Sequence, residues 1–173
     1  MSAKTEDAKL LHTPTDLSQK EVNSIAGSLN AIVADFFAVY FKTKNFHWHM
    51  SGAHFRDYHL LLDEQAEQIY AAIDPLAERV RKLGQRTLTS LGATAKLTRI
   101  SDNDREYVEP GSMLLELMED NKKCAATMRS AHSICDDAKD NGTAGLLETL
   151  IDEAERRTWF LFEASRGVDA SGH

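Results

Sequence analysis

Proline and glycine are scarce, at three and nine in 173 residues. They fall mostly between stretches of helical periodicity, and no segment carries the alternation of a half-buried strand. Cysteine is scarcer still. Cys124 and Cys135 lie about three helical turns apart, too far to bridge within one helix. That excludes a disulfide framework and leaves two core thiols suited to a reducing compartment. Long apolar runs are missing as well. The best, residues 32–41, is short and contains Asp35, and the N-terminus lacks the apolar core of a signal peptide. The expectation is a protein with no membrane attachment, placed in the cytoplasm. Basic charge is outnumbered, with 20 Lys and Arg against 27 Asp and Glu and a formal charge of −7. Such a surface does not coat nucleic acid over its whole extent and suits the attraction of cations. The chain also lacks any Glu-x-x-His, the pairing that builds a di-iron site inside a single four-helix bundle.

What remains is a helical protein of one domain, long enough to bury a substantial core. Ser18 followed by Glu21 fits a capping box for a long first helix carrying Ile25, Leu29, Ile32, Val33, Phe36, Phe37 and Tyr40 on its apolar face. This helix should end near residues 50–52. A second should run from about Ala53 to Lys82, with Leu62, Ala66, Ile69, Ile73, Leu76, Val80 and Leu83 inward and Gly84 as its stop. Pro110 opens a third, with Leu114, Leu117, Met118, Cys124, Ala125, Met128 and Cys135 inward. Asn141 or Thr143 can cap a fourth that buries Leu147, Leu150, Ile151, Ala154, Leu161 and Phe162. The link over roughly 85–109 is too long to be structureless and predicts a short helix near Leu88 to Leu91 with a role in subunit contact. The organisation expected is a flexible tail over 1–17, an all-α four-helix bundle with a long crossover over 18–166, and a short tail over 167–173.

Chemistry concentrates in residues 47–79. His47, His59, Asp63, Asp74 and Glu78 form a mixed nitrogen and oxygen set that suits iron, manganese or zinc. His59 and Asp63 are i,i+4, as are Asp74 and Glu78, so all four share one stripe bordering the core face. The two pairs nevertheless stand roughly 16 Å apart along the helix axis. No single ion spans that distance. Either they serve different sites or they meet across two copies of the chain. Individually each residue has a plainer reading: a hydrogen-bonded core histidine, Asp74 capping a helix that restarts at Pro75, or Asp63 and Glu78 paired with Arg79 or Lys82. Lys44, one turn before His47, could pair with a carboxylate across a dimer interface. His49 and His54 crowd the same turn without an assigned role.

The whole pattern is more specific than its parts. His47-Trp48, Gly52, Phe55, His59, Asp63, Asp74, Ala77, Glu78 and Arg79 together resemble the signature of the Dps family, the ferritin-like mini-ferritins that protect DNA during starvation. The likeness extends to the helical layout over about 18–166. It implies twelve identical subunits in a hollow shell with a ferroxidase centre at each two-fold interface. In that carry-over His47, His59 and Asp63 come from one subunit and Asp74 and Glu78 from its partner. Two iron positions per site would take Fe(II), hydrogen peroxide would oxidise it to Fe(III), and ferric mineral would collect in the cavity. Zinc fits several of the same ligands and would compete. Trp48, beside a ligand, reads first as packing.

Further acids take secondary roles. Asp136, Asp137 and Asp140 lie at the turn where the family places its negatively charged pores, and Glu64 and Glu67 could nucleate mineral on the inner wall. The N-terminal stretch sets Lys4, Lys9 and Lys20 against Glu6, Asp7 and Asp16, and Arg166 and Asp169 balance near the C-terminus, so little phosphate affinity is expected. DNA binding should be weak or absent. The competing reading is a structural, DNA-compacting nucleoid protein with little ferroxidase activity.

Overall fold

Helix signals in the sequence translate directly into the architecture. The computed structural model describes residues 10–166. Residues 1–9, with Lys4 and Lys9 of the charge-balanced tail, and residues 167–173 lie outside that range. Five helices follow in order: α1 Gln19–His49, α2 Phe55–Lys82, α3 Leu91–Leu97, α4 Pro110–Asp137 and α5 Asn141–Ser165. The long helices α1 and α2 form one packed pair and α4 and α5 the other, with α3 in the crossover resting on α1. This is the all-α, ferritin-like bundle.

Each boundary has a local cause. Ser18 caps α1 with both halves of the capping box in place: its Oγ accepts from the Glu21 amide, and the Glu21 carboxylate accepts from the Ser18 amide. Glu109 caps α4 through the Ser112 amide with Pro110 in the first turn, where its missing N–H costs nothing. Gly84 stops α2 at φ +76°, and a Cβ there would meet the Thr13 backbone nitrogen at 2.9 Å. The close approach arises because Arg81 draws residues 11–13 over the helix end: it donates to the Leu11 carbonyl, and its own carbonyl accepts from Thr13 Oγ1.

Several sequence expectations shift. The second helix begins at Phe55 rather than Ala53 and runs unbroken through Pro75. Ala71, Asp74 and Pro75 are all exposed, so the carbonyl that loses its partner faces water. Asp74 is therefore a mid-helix residue and caps nothing. The crossover helix starts later than Leu88, because the Ser90 side chain accepts from the Ala93 amide and fixes the start at Leu91. Asp140, not Asn141 or Thr143, caps α5. Phe162 is 47% exposed rather than buried. By length and composition α1 as a whole could cross a membrane, which the short run 32–41 did not suggest. Its apolar face is instead packed in the bundle, from Val22 through Phe46.

The core comes in two apolar compartments. The larger gathers Ile25, Leu29, Ile32, Phe36, Ile69, Leu76, Met128 and Leu147, and the smaller gathers Phe46, Met50, Leu62, Leu114, Leu117 and Leu161. A polar layer lies between them. Buried Arg157 donates from Nε to Asn121 Oδ1 at 2.8 Å, and its backbone carbonyl accepts from Gln65 Nε2. Burial lowers the pKa of this guanidinium.

Candidate metal centre

The smaller apolar compartment lies where α1 ends and α2 begins, and there the chain brings two imidazoles together. His47, in the last turn of α1, and His59, in the second turn of α2, stack with ring centroids 3.7 Å apart. Phe55 lies 5.1 Å from His59 and extends the stack. Each ring sits within hydrogen-bond distance of the other's backbone: His47 Nδ1 is 2.8 Å from the His59 carbonyl, and His59 Nδ1 is 2.9 Å from the His47 carbonyl. A carbonyl only accepts, so both Nδ1 atoms carry the proton. In the neutral rings this leaves both Nε2 atoms as lone-pair donors, the state a metal-binding imidazole needs. The two helices thus fix tautomer and ring plane at once.

Asp63 follows one turn after His59. Its Oδ1 is 3.8 Å from His47 Nε2 and 2.7 Å from the Lys44 ammonium. The Lys44 hydrogen bond is the main cause holding the Asp63 carboxyl below the ordinary carboxylate range. Within one chain Lys44 pairs with Asp63, and Asp63 is ion-paired with neither Arg79 nor Lys82.

Asp74 and Glu78 are placed elsewhere. Both are exposed on α2, and since the helix is continuous from Phe55 to Lys82 the separation from His59 and Asp63 is real, roughly 16 Å along the axis even between Asp63 and Asp74, the nearest two. Asp74 lines an open hollow with Tyr70, Ile73, Phe37 and Thr87. Among the described residues Glu78 is ion-paired with the exposed Lys82 ammonium alone, at 3.4 Å. Among the described residues of one subunit, no three His, Cys, Asp or Glu side chains gather closely enough to hold a metal ion. His49 and His54 do not join the stacked pair: both are exposed, His49 Nδ1 turning back to the Asn45 carbonyl and His54 lying against Tyr58.

Among the described residues, the polar layer between the two apolar compartments offers no alternative centre. The polar layer holds Gln65, Asn121 and Arg157, two neutral amides and a fixed cation. A guanidinium at mid-bundle repels a metal ion rather than binding one.

Among the other acids, Asp136 and Asp137 are exposed at the end of α4, with Asp136 Oδ2 3.1 Å from His132 Nδ1. Asp140 is buried. It caps α5 through the Thr143 amide and holds Arg79 Nη2 at 2.6 Å, while Arg79 Nε donates to Thr143 Oγ1. Sequence reasoning singled out Arg79 as part of the motif but missed this clamp, which ties the residue after Glu78 to the α4–α5 turn. Its signal was present in two places, the capping-type Asp140 three residues before Thr143 and an arginine on the core border of α2. Glu64 and Glu67 are exposed, Glu64 accepting from Gln68.

A family model described as a ferritin-like domain matches residues 26–165. The DNA protection during starvation protein of Agrobacterium fabrum is 30% identical over 149 residues, covering 86% of this chain and 92% of that one. Among solved structures, DpsC from Streptomyces coelicolor superposes with a TM-score of 0.87 at 28% identity, covering 91% of this chain and 92% of the other. Dps from Thermosynechococcus elongatus gives a TM-score of 0.83 at 27% identity over 87% of this chain and 95% of that one.

Proposed function

The chain belongs to the ferritin-like superfamily and, within it, to the Dps family, and from that premise we propose that it is a ferroxidase and iron-storage protein whose metal centres form between subunits. The observation that carries this reading is the stacked His47 and His59 pair, each ring holding the other's tautomer so that both Nε2 atoms are free to bind. His47, His59 and Asp63 supply one half of the site. Asp74 and Glu78 of a second copy supply the other, in a homododecamer that closes around a cavity.

Fe(II) is the substrate. The imidazoles give firm ligation, and the carboxylates offset the ferrous charge and favour Fe(III) as it forms. With two ions held together, each gives one electron to hydrogen peroxide, which is reduced to water without releasing a hydroxyl radical. The ferric product then hydrolyses to mineral in the cavity, and DNA nearby is spared oxidation. The exposed acids Asp136 and Asp137 would draw Fe(II) toward the interior, with Asp140 supporting their turn rather than facing the ion. Glu64 and Glu67 are the candidate nucleation acids. Zinc would compete for the imidazoles. We place the protein in the cytoplasm, with DNA binding weak or absent because Lys4, Lys9 and Lys20 are balanced by Glu6, Asp7 and Asp16 in a chain of net charge −7.

The test is direct. Fe(II) is added anaerobically to purified protein, then peroxide, while ferric absorbance and particle size are followed. Rapid oxidation with iron kept soluble in a particle of many subunits is expected. The double variant His59→Ala with Asp63→Ala should keep the particle and slow oxidation to near background. Unchanged oxidation in that variant would remove these residues from the mechanism. A shell that leaves iron to precipitate would favour the structural, DNA-compacting reading.

A further inference from the structure

Arg157 carries a positive charge into the middle of the bundle at only 2% exposure. Burying an ionised group is costly unless an opposite charge and a full set of hydrogen bonds meet it. Here both fall short. Nε donates to Asn121 Oδ1, a neutral acceptor whose own amide is spent on the Leu117 carbonyl. Nη1 is buried with no hydrogen-bond partner. Among the described residues its one ion-pair contact is the half-exposed Glu153 carboxylate at 4.0 Å, beyond hydrogen bonding. Burial pushes the guanidinium pKa down, as expected of a cation short of counter-charge, yet arginine stays ionised at neutral pH. Nη1 is already enclosed within a single chain, so the packing of further subunits does not bring it a partner.

Arg157 and buried Gln65 also line a small hollow between α2 and α5, together with Gln68 and Arg156. The lining sets two cations and two amides against one acid, Glu64, whose carboxylate already accepts from Gln68. The hollow has room for about one water-sized sphere. A halide ion is close to that size, whereas a phosphate is several times larger.

We propose that this hollow is a halide site, in which a single chloride-sized anion serves as counterion to Arg157. The site stands apart from the proposed metal centre and does not depend on the ferroxidase reading. An anion seated there balances the delocalised guanidinium charge at short range, where the surrounding apolar side chains strengthen the attraction. Water is the rival occupant. It can accept a hydrogen bond but leaves the charge unbalanced.

Full-length, iron-free protein is heated at fixed ionic strength while chloride replaces methanesulfonate, an anion too large for the hollow. The midpoint of wild type should rise by a few degrees and then saturate, because a ligand held only by the folded state stabilises it by mass action. Crystals grown in bromide should show an anomalous peak between α2 and α5 beside Arg157. Arg157→Met removes the buried cation and keeps a long side chain in its place. Gln65→Glu instead puts a carboxylate on the wall of the hollow. Each variant should lose both the peak and the chloride dependence, and if Arg157→Met fails to fold, Gln65→Glu decides. A wild-type midpoint indifferent to chloride, or the lack of a bromide peak, would overturn the proposal and leave water as the occupant. A peak with no saturable effect on the midpoint would mean an adventitious ion only, which overturns it equally. Chloride dependence that survives Gln65→Glu would also overturn it, by placing the anion elsewhere.

Discussion

Lys44 places an ammonium 2.7 Å from the Asp63 oxygen that also faces His47 Nε2. On the proposed ferroxidase reading a ferrous ion entering there replaces one cation with another, so the lysine would compete with the metal. Lys44→Gln is expected to tighten Co(II) binding to the metal-free protein by roughly two- to fivefold, the scale of a partly exposed ion pair. Calorimetric titration checks it, and unchanged affinity would mean that the ammonium swings clear at no cost. The same contact sets a pH dependence. Lys44 holds the Asp63 carboxyl below its usual range, so in wild type this proposed ligand stays ionised further into acid. Without the lysine that pKa rises, and metal binding should begin to fail at a higher pH. The cysteines behave oppositely. Burial pushes Cys124 up to about 12 and Cys135 up to about 11, so both are protonated at neutral pH. Alkylation of native protein at pH 8 should run at least tens of times slower than that of an ordinary thiol, since each unit of pKa removes about tenfold of the thiolate. Mass spectrometry after iodoacetamide reads this directly, and fast labelling would show that the bundle opens locally.

Among the elements, the α4–α5 turn is held by one acid. Asp140 caps α5 and pairs with Arg79 while itself only 6% exposed. Asp140→Ala removes the cap and leaves Arg79 without its carboxylate, for an expected loss of about 2–4 kcal/mol. Chemical denaturation measures it, and a loss well under 1 kcal/mol would mean that water replaces the clamp. The crossover has its own anchor in buried Asp35, whose carboxylate accepts from Thr98 Oγ1, the Arg99 amide and the Arg99 guanidinium. Asp35→Ala should loosen α3 before the bundle, read as faster amide exchange over residues 91–100 than in the long helices. This anchor shows where sequence reading runs short. Asp35 interrupts an apolar run, which periodicity registers only as a flaw, and its partners are more than sixty residues away in sequence. The long helices were legible because their caps and core positions repeat within a few residues, as with Ser18 and Glu21. The stacked imidazoles were legible only as ligand types; their reciprocal backbone bonds depend on the packing of α1 against α2. Phe162 was misjudged because a helical stripe gives a face but not its edges.

The whole molecule turns on a distance. Within one subunit even the nearest members of the two pairs, Asp63 and Asp74, stand roughly 16 Å apart along α2, while the polar layer inside the bundle holds Arg157, Asn121 and Gln65. On the proposed reading a complete centre is shared between two copies, and the most direct test is complementation between two inactive variants. One carries His59→Ala with Asp63→Ala, the other Asp74→Ala with Glu78→Ala, and each is assayed alone and co-expressed with the other for Fe(II) oxidation by peroxide. Across a two-fold interface a mixed dimer holds one site with both halves intact, so random mixing should restore about a quarter of wild-type activity. No recovery from mixed shells of normal size would contradict a centre shared between subunits.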